Sequence, residues 1–253
     1  MATGSGAFEK LDIGRVFQTT FGIIRRNMIP LAILGIVLDI LPSALSIIMK
    51  QKVLLGIEKP ESLPTNMAIA FVTMCFATVF QAASIHVTIA DLNGRSISVA
   101  EALRRSVKLI IPLIGIGVML SIAIGFGILL LIVPGLMVAC AFAVAVPARV
   151  VEGIPANATL DRSRYLTRGN RWRIFWLGGI WLIMLAVFEA AVIALSGNMQ
   201  SLPNLGLGSA GIATLVVSFV IGVVSTVTIS VLYFELRRIK DGVGATDLAT
   251  VFD

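Results

Sequence analysis

Four polar residues stand where apolar neighbours surround them in the sequence: Asp39, Gln81, His86 and Glu189 each interrupt a long hydrophobic stretch. An ionisable group inside a membrane is costly and, where it persists, commonly serves a proton or ion pathway. Asp39 follows Met28 by 11 residues, roughly 16 Å along a helix and near the middle of a bilayer. Glu189 lies roughly 9 Å from the far end of its stretch, and His86 lies near the opposite end of its own. No Lys or Arg stands at mid-depth to neutralise either acid. The same residues also have plain readings. Pro42, three positions after Asp39, could end the first stretch and leave the acid nearer the surface; Glu189 could be solvated through a shallow cavity; His86 could be a hydrogen-bonded interface residue.

Covalent chemistry has little to work with. Ser84, Ser121 and Ser218 lie in apolar stretches, but His86 is the only imidazole in the chain, so a nucleophile lacks the base and orienting group it needs. Neither a phosphate loop, a dinucleotide glycine fingerprint, a paired-cysteine metal site nor a nucleic-acid motif is present, and Gly115-x-Gly117 and Gly125-x-Gly127 read as packing glycines. The expectation is therefore a non-enzyme with no metal, no cofactor and no nucleic-acid partner. Cys75 and Cys140 both fall inside apolar stretches, where small packing residues are expected rather than a disulfide.

The elements that position these residues follow from hydropathy. Apolar residues make up 57% of the 253 positions and mean hydropathy is +0.98, too apolar for a water-facing surface. About 20 apolar residues cross a bilayer. Six stretches approach that length, at about 28–49, 67–90, 109–132, 135–151, 174–195 and 207–234. The predicted fold is all-α: a polytopic membrane bundle of six transmembrane helices forming one domain over 1–253. Pro134-Gly135 marks a tight hairpin between spans three and four.

Charge then orients the bundle. Lys10, Arg15, Arg25 and Arg26 precede span one, and Arg95, Arg104, Arg105 and Lys108 lie between spans two and three. Arg149, Arg162, Arg164, Arg168, Arg171 and Arg173 lie between four and five, and Arg237, Arg238 and Lys240 follow six. Only Lys50, Lys52 and Lys59 fall on the other side. The positive-inside rule places both termini in the cytoplasm, and a bacterial inner membrane is the expected location. The first 26 residues are too polar for a cleaved secretory signal, so span one is expected to act as an uncleaved anchor.

A cationic amphipathic helix precedes each odd-numbered span. Residues 12–26 place Ile13, Val16, Phe17, Thr20, Phe21, Ile23 and Ile24 on one arc, with Arg15, Gln18, Arg25 and Arg26 opposite. Ser98 and Glu101 suggest a capping box for a helix that opposes Val99, Ala100, Leu103, Val107 and Ile110 to Glu101, Arg104, Arg105 and Lys108. Ala156, Thr159, Leu160, Ser163 and Leu166 form a third, weaker arc against Asp161, Arg162, Arg164 and Arg168. Such helices suit the headgroup layer, and with Arg171 and Arg173 their cations suit anionic lipid heads. The repeating unit is a short helix plus a transmembrane hairpin. Small residues at every fourth position, Gly117, Ser121 and Gly125 in span three and Thr214, Ser218, Gly222 and Thr226 in span six, suggest close packing within the chain or against a second copy.

Several local motifs share an order. Leu11-Asp12-Ile13-Gly14-Arg15-Val16, Val133-Pro134-Gly135, Val151-Glu152-Gly153, Leu166-Thr167 with Gly169, Arg171-Trp172-Arg173 with Phe175, and Tyr233 with Glu235-Leu236-Arg237 span nearly the whole chain. In this order they resemble bacterial six-span proteins grouped with the membrane domain of glycerophosphoryl diester phosphodiesterases. Arg164 stands where an aromatic often follows Ser163, a mild departure. The resemblance implies membrane architecture only, because the phosphodiesterase chemistry belongs to a separate soluble domain with His and carboxylate ligands. The expected role is a lipid-contacting scaffold or an envelope or assembly factor. The alternative is a small proton- or cation-coupled carrier using Asp39 and Glu189. Protein partners and a homo-oligomeric state are left open by the sequence.

Overall fold

Asp12 starts the first helix by accepting a hydrogen bond from the Arg15 backbone N–H at 3.2 Å, the N-cap role that a short carboxylate suits. The computed structural model describes residues 10–54, 63–195 and 209–242, and every regular element among them is helical. Helix α1 (Ile13–Arg26) leads into α2 (Met28–Gly35), a π-helical turn (Ile36–Ile40) and α3 (Leu41–Leu54), which together carry span one. Span two is α4 (Leu63–Leu92), followed by the short α5 (Val99–Val107) and by α6 (Ile110–Leu130), which is span three. Helices α7 (Ile132–Ala141) and α8 (Ala145–Glu152) build span four; α9 (Ala156–Thr167) is short, and α10 (Arg171–Leu195) and α11 (Ser209–Asp241) carry spans five and six.

Among the described residues, six stretches are long and apolar enough to cross a membrane: Met28–Ile47, Leu63–Leu92, Ile110–Leu130, Val133–Glu152, Arg171–Phe188 and Leu215–Asp241. The chain is an all-helical, multi-pass membrane protein.

Two prolines shape the spans. Pro42 does not end span one. A proline has no N–H for the carbonyl four residues back, and the wider π turn just before it, with Leu41 N–H bonded to the Ile36 carbonyl, carries the helix past it. Pro134 lies in the first turn of α7 rather than at the end of α6, where a missing N–H leaves nothing unbonded. Span four is also broken at Phe142–Val144, because Ala145 N–H turns back to the Phe142 carbonyl at 3.0 Å. That turn frees the Ala141 carbonyl, which instead accepts Ser163 Oγ at 3.0 Å and Thr167 Oγ1 at 3.1 Å from α9.

The three short helices follow one docking rule. Helix α5 packs chiefly on α4 and α9 chiefly on α8, each the helix just before it in the chain. Helix α1 packs chiefly on α11, the last one, so the rule closes cyclically over the three units. Val16, Thr20 and Ile23 of α1, Ala102 and Ser106 of α5, and Thr159, Ser163, Leu166 and Thr167 of α9 are fully buried. The arcs expected to dip into lipid are thus largely covered by protein, although Phe21 and Val107 stay exposed. Outside the hydrocarbon layer such burial is driven by water, at about 1.5–3 kcal/mol for a Val or Ile side chain. Ser98 caps α5 through Glu101 N–H at 3.2 Å, but the Glu101 carboxylate pairs with Arg105 rather than completing the capping box.

Within the spans, backbones approach where glycine permits. A Cβ on Gly127 would lie 2.8 Å from the Gly135 Cα, so the α6–α7 hairpin closes on two glycines. Gly35 lies under the Phe219 ring, 1.9 Å from where a Cβ would stand, and Gly222 faces Phe80 at 3.4 Å. The small-residue ridges are used only in part. Gly222, Thr226 and Ser230 lie on the packed face of α11, whereas Ser218 is exposed and the Thr214 side chain lies outside the described residues. Ser121 and Gly125 are exposed and nothing lies within 4 Å of a Cβ at Gly117 or Gly125, so the span-three ridge faces away from the bundle. The face through Gly127 is the one that meets span four.

Candidate functional site

Asp39 sits in the π turn of span one, half-buried, at a level where that turn meets α4 and α11. A π turn displaces a side chain from the regular helical face and often accompanies function. No hydrogen bond or ion pair to Asp39 is formed among the described residues. Gln81 and His86 lie half-buried on α4, and His86 Nε2 is buried without a hydrogen-bond partner, so the histidine is not tied into the interface through that atom. The Glu189 side chain lies outside the described residues, which leaves its expected partnership with Asp39 without geometry. No group of three or more His, Cys, Asp or Glu residues among the described residues is placed to hold a metal ion.

The basic end carries the denser polar chemistry. Glu152, at the end of α8, accepts Arg162 Nε on both oxygens at 2.9 and 3.0 Å and the Tyr233 hydroxyl on Oε1 at 2.8 Å. Arg162 continues to Asp241, with Nη1 donating at 3.2 Å and Nη2 closer still, and Arg237 adds a 3.7 Å contact to the same carboxylate. The hydrogen bond to Asp241, followed by those to Glu152, holds Arg162 above its ordinary pKa against the opposing effect of burial. Arg162 and Lys240 also lie over the Tyr165 ring, 5.7 and 5.8 Å from its centre. Glu152 is followed by Gly153 at φ 66°, a left-handed helix stop that glycine adopts without strain, and Arg149 closes the same end by donating to the Gly153 and Ile154 carbonyls.

A second set of bonds ties the chain start to span five. Asn170 Oδ1 accepts Leu11 N–H at 3.2 Å, and Arg173 donates to the Leu11 carbonyl. On the far side of α1, Arg26 pairs with Asp91 at 2.6 Å and Asn27 Nδ2 donates to the same carboxylate at 2.9 Å. The hydrogen bond to Asp91 and the charge of that carboxylate hold the Arg26 pKa above its usual value. Glu235 is approached by Arg238 at 3.1 Å and by Arg15 at 4.0 Å.

These contacts sort the cations assigned to lipid heads. Arg26, Arg162 and Arg173 are bonded to partners within the chain, Arg105 to Glu101, and Arg15 and Arg164 make long contacts to Glu235 and Asp161. Arg164 also lies over the Phe142 ring at 5.1 Å. Arg25, Arg104, Lys108 and Arg168 are exposed, and their side chains form no ion pair or hydrogen bond among the described residues. Composition revealed the cations but not this division, which for Arg26, Arg162 and Arg173 depends on partners distant in sequence.

A groove of ≈ 160 Å³ opens between α7 and α10, lined by Val133, Leu136, Met137, Cys140, Trp172 and Phe175, with Arg171 at one end. Residue spacing gave no sign of it, because its walls come from two different hairpins. It includes none of Asp39, Gln81 and His86. Comparison of the chain with protein-family models, with curated proteins and with solved structures finds no match.

Proposed function

We propose that this protein is a non-enzymatic, lipid-contacting scaffold or envelope-assembly factor of the bacterial inner membrane, with its basic end and both termini cytoplasmic. The observation that carries this reading is the division of the cations. A network of bonds fixes the short helices to the span ends, while Arg25, Arg104, Lys108 and Arg168 remain exposed and without an acidic partner among the described residues. Cations beside a membrane surface draw anionic headgroups, at about 1 kcal/mol each. Kinship with the membrane domain of glycerophosphoryl diester phosphodiesterases belongs to the same proposal, and the motifs of that resemblance support it by position. Asp12, Glu152, Gly153, Thr167 and Tyr233 all sit in caps or bonds that lock the basic end.

The test is the lipid retained around the protein. Wild type and an Arg25→Glu, Arg104→Glu, Lys108→Glu, Arg168→Glu variant are extracted in polymer nanodiscs, and the ratio of phosphatidylglycerol to phosphatidylethanolamine is measured. The ratio is expected to fall in the variant; an unchanged ratio in a folded variant defeats the reading.

One observation favours a second reading, a proton- or cation-coupled carrier: Asp39 lies at mid-span in a π turn with no partner among the described residues. Dye-reported proton and cation flux in liposomes, wild type against Asp39→Asn and Glu189→Gln, decides it. Flux that is lost in either variant moves the carrier to first place. Absence of flux in folded wild type removes it.

A further inference from the structure

We infer that the groove between α7 and α10 holds one acyl chain of an anionic phospholipid whose phosphate rests on Arg171. This rests on the lipid-contact reading and narrows it to a single site. The groove lining is apolar, and from Val133 to Cys140 it follows eight residues of α7, about 10 Å of helix. Met137 and Trp172 are largely exposed along its lip, so it opens on the surface that the membrane covers. An apolar slot of this kind gains from a hydrocarbon chain and gives water no polar partner.

Arg171 supplies the charge. Its stem closes one end of the groove, and its Nε is buried with no hydrogen-bond partner. A buried donor of this sort costs free energy until an acceptor reaches it. The neighbouring cations do not compete for the role equally: Arg173 is turned to the Leu11 carbonyl and Arg164 lies over Phe142, while Arg168 is exposed and unpaired among the described residues. Arg171 therefore presents a positive charge at the end of an acyl slot, at the start of span five, which the positive-inside rule puts at headgroup level. Phosphate oxygens match a guanidinium fork, and basic pockets between helices are the usual form of anionic-lipid sites.

Trp172 lies in the lining and reports occupancy directly. With Trp176 and Trp181 replaced by Phe, it is the sole tryptophan. The protein is placed in phosphatidylcholine nanodiscs containing increasing fractions of brominated phosphatidylglycerol or brominated phosphatidylcholine, and Trp172 quenching is recorded. Brominated phosphatidylglycerol is expected to reach half-maximal quenching at about a fivefold lower mole fraction. Arg171→Gln should bring the two lipids together, Arg171→Lys should keep part of the preference, and Met137→Phe, which fills the slot, should weaken quenching by both. Excess soluble glycerol phosphate should not relieve the quenching, because the chain provides much of the binding.

Equal quenching by the two lipids, a preference that survives Arg171→Gln, or full relief by glycerol phosphate overturns the site. The retained-lipid ratio separates this failure from that of the broader reading. Enrichment without a Trp172 preference leaves the scaffold without this site, and a Trp172 preference without enrichment leaves the site without the scaffold.

Discussion

Tyr233 and Glu152, 81 positions apart in the chain, meet at 2.8 Å, the phenol hydroxyl donating to Oε1. The same carboxylate takes Arg162 on both oxygens, and Arg162 goes on to Asp241. One acid therefore joins the end of span four, helix α9 and span six, and its side chain is only 16% exposed.

Removing the cation from this network should cost more than removing the phenol. Arg162→Gln leaves two carboxylates facing each other and is expected to lose about 3 kcal/mol. Tyr233→Phe gives up one hydrogen bond, about 1 kcal/mol. Thermal unfolding in detergent, with Glu152→Gln added to each for a double-mutant cycle, should give coupling in both pairs; additive losses would sink the network.

Arg26 and Asp91 provide the contrast. Their distance is short, 2.6 Å, but the Arg26 side chain is 60% exposed. Asp91→Asn is expected to cost less than about 1 kcal/mol, and raising the salt concentration should reduce that loss. A loss as large as that of Arg162→Gln would refute this ranking.

Two glycines a turn-fraction apart should behave oppositely. Gly127→Ala puts a Cβ 2.8 Å from backbone at Gly135, and backbone cannot swing aside, so the α6–α7 hairpin should open and the melting temperature fall. Gly125→Ala meets nothing within 4 Å and should leave stability unchanged or slightly raised. Melting curves of the two variants check this.

The Ala141 carbonyl depends on α9. Ser163→Ala with Thr167→Val removes both hydroxyls that reach it, and the loss is expected to be about 1–3 kcal/mol, the cost of an orphaned buried acceptor. Either single variant should cost less than half of the double. A single variant that loses as much as the double would mean that its hydroxyl is the one the carbonyl depends on and that the other cannot replace it.

Asp39 is expected to weaken the fold it sits in. With no partner for its carboxylate among the described residues at mid-span, replacement by Leu should raise the unfolding free energy by roughly 1 kcal/mol or more. A fall instead would mean that the carboxyl makes a bond that stabilises the π turn.

The sequence by itself determined the all-helical class, six spans, the charge asymmetry, the cap at Ser98, and a packing role for Gly127, though not for Gly115, Gly117 or Gly125. Each of these is local: hydropathy adds along the chain, a cap needs only the next turn, and a glycine permits contact whatever neighbour arrives. Tertiary structure decided the rest. Phe142-Ala143-Val144 contains no helix breaker, and its turn is matched by hydroxyls from α9, some 20 residues on. The cyclic docking of α1 on α11, the outward face of the Gly117 and Gly125 ridge, and the separation of bonded from exposed cations likewise depend on partners distant in sequence. A periodicity shows which side chains share a face of a helix. It does not contain the identity of what that face meets, because that is set by the packing of all the helices together.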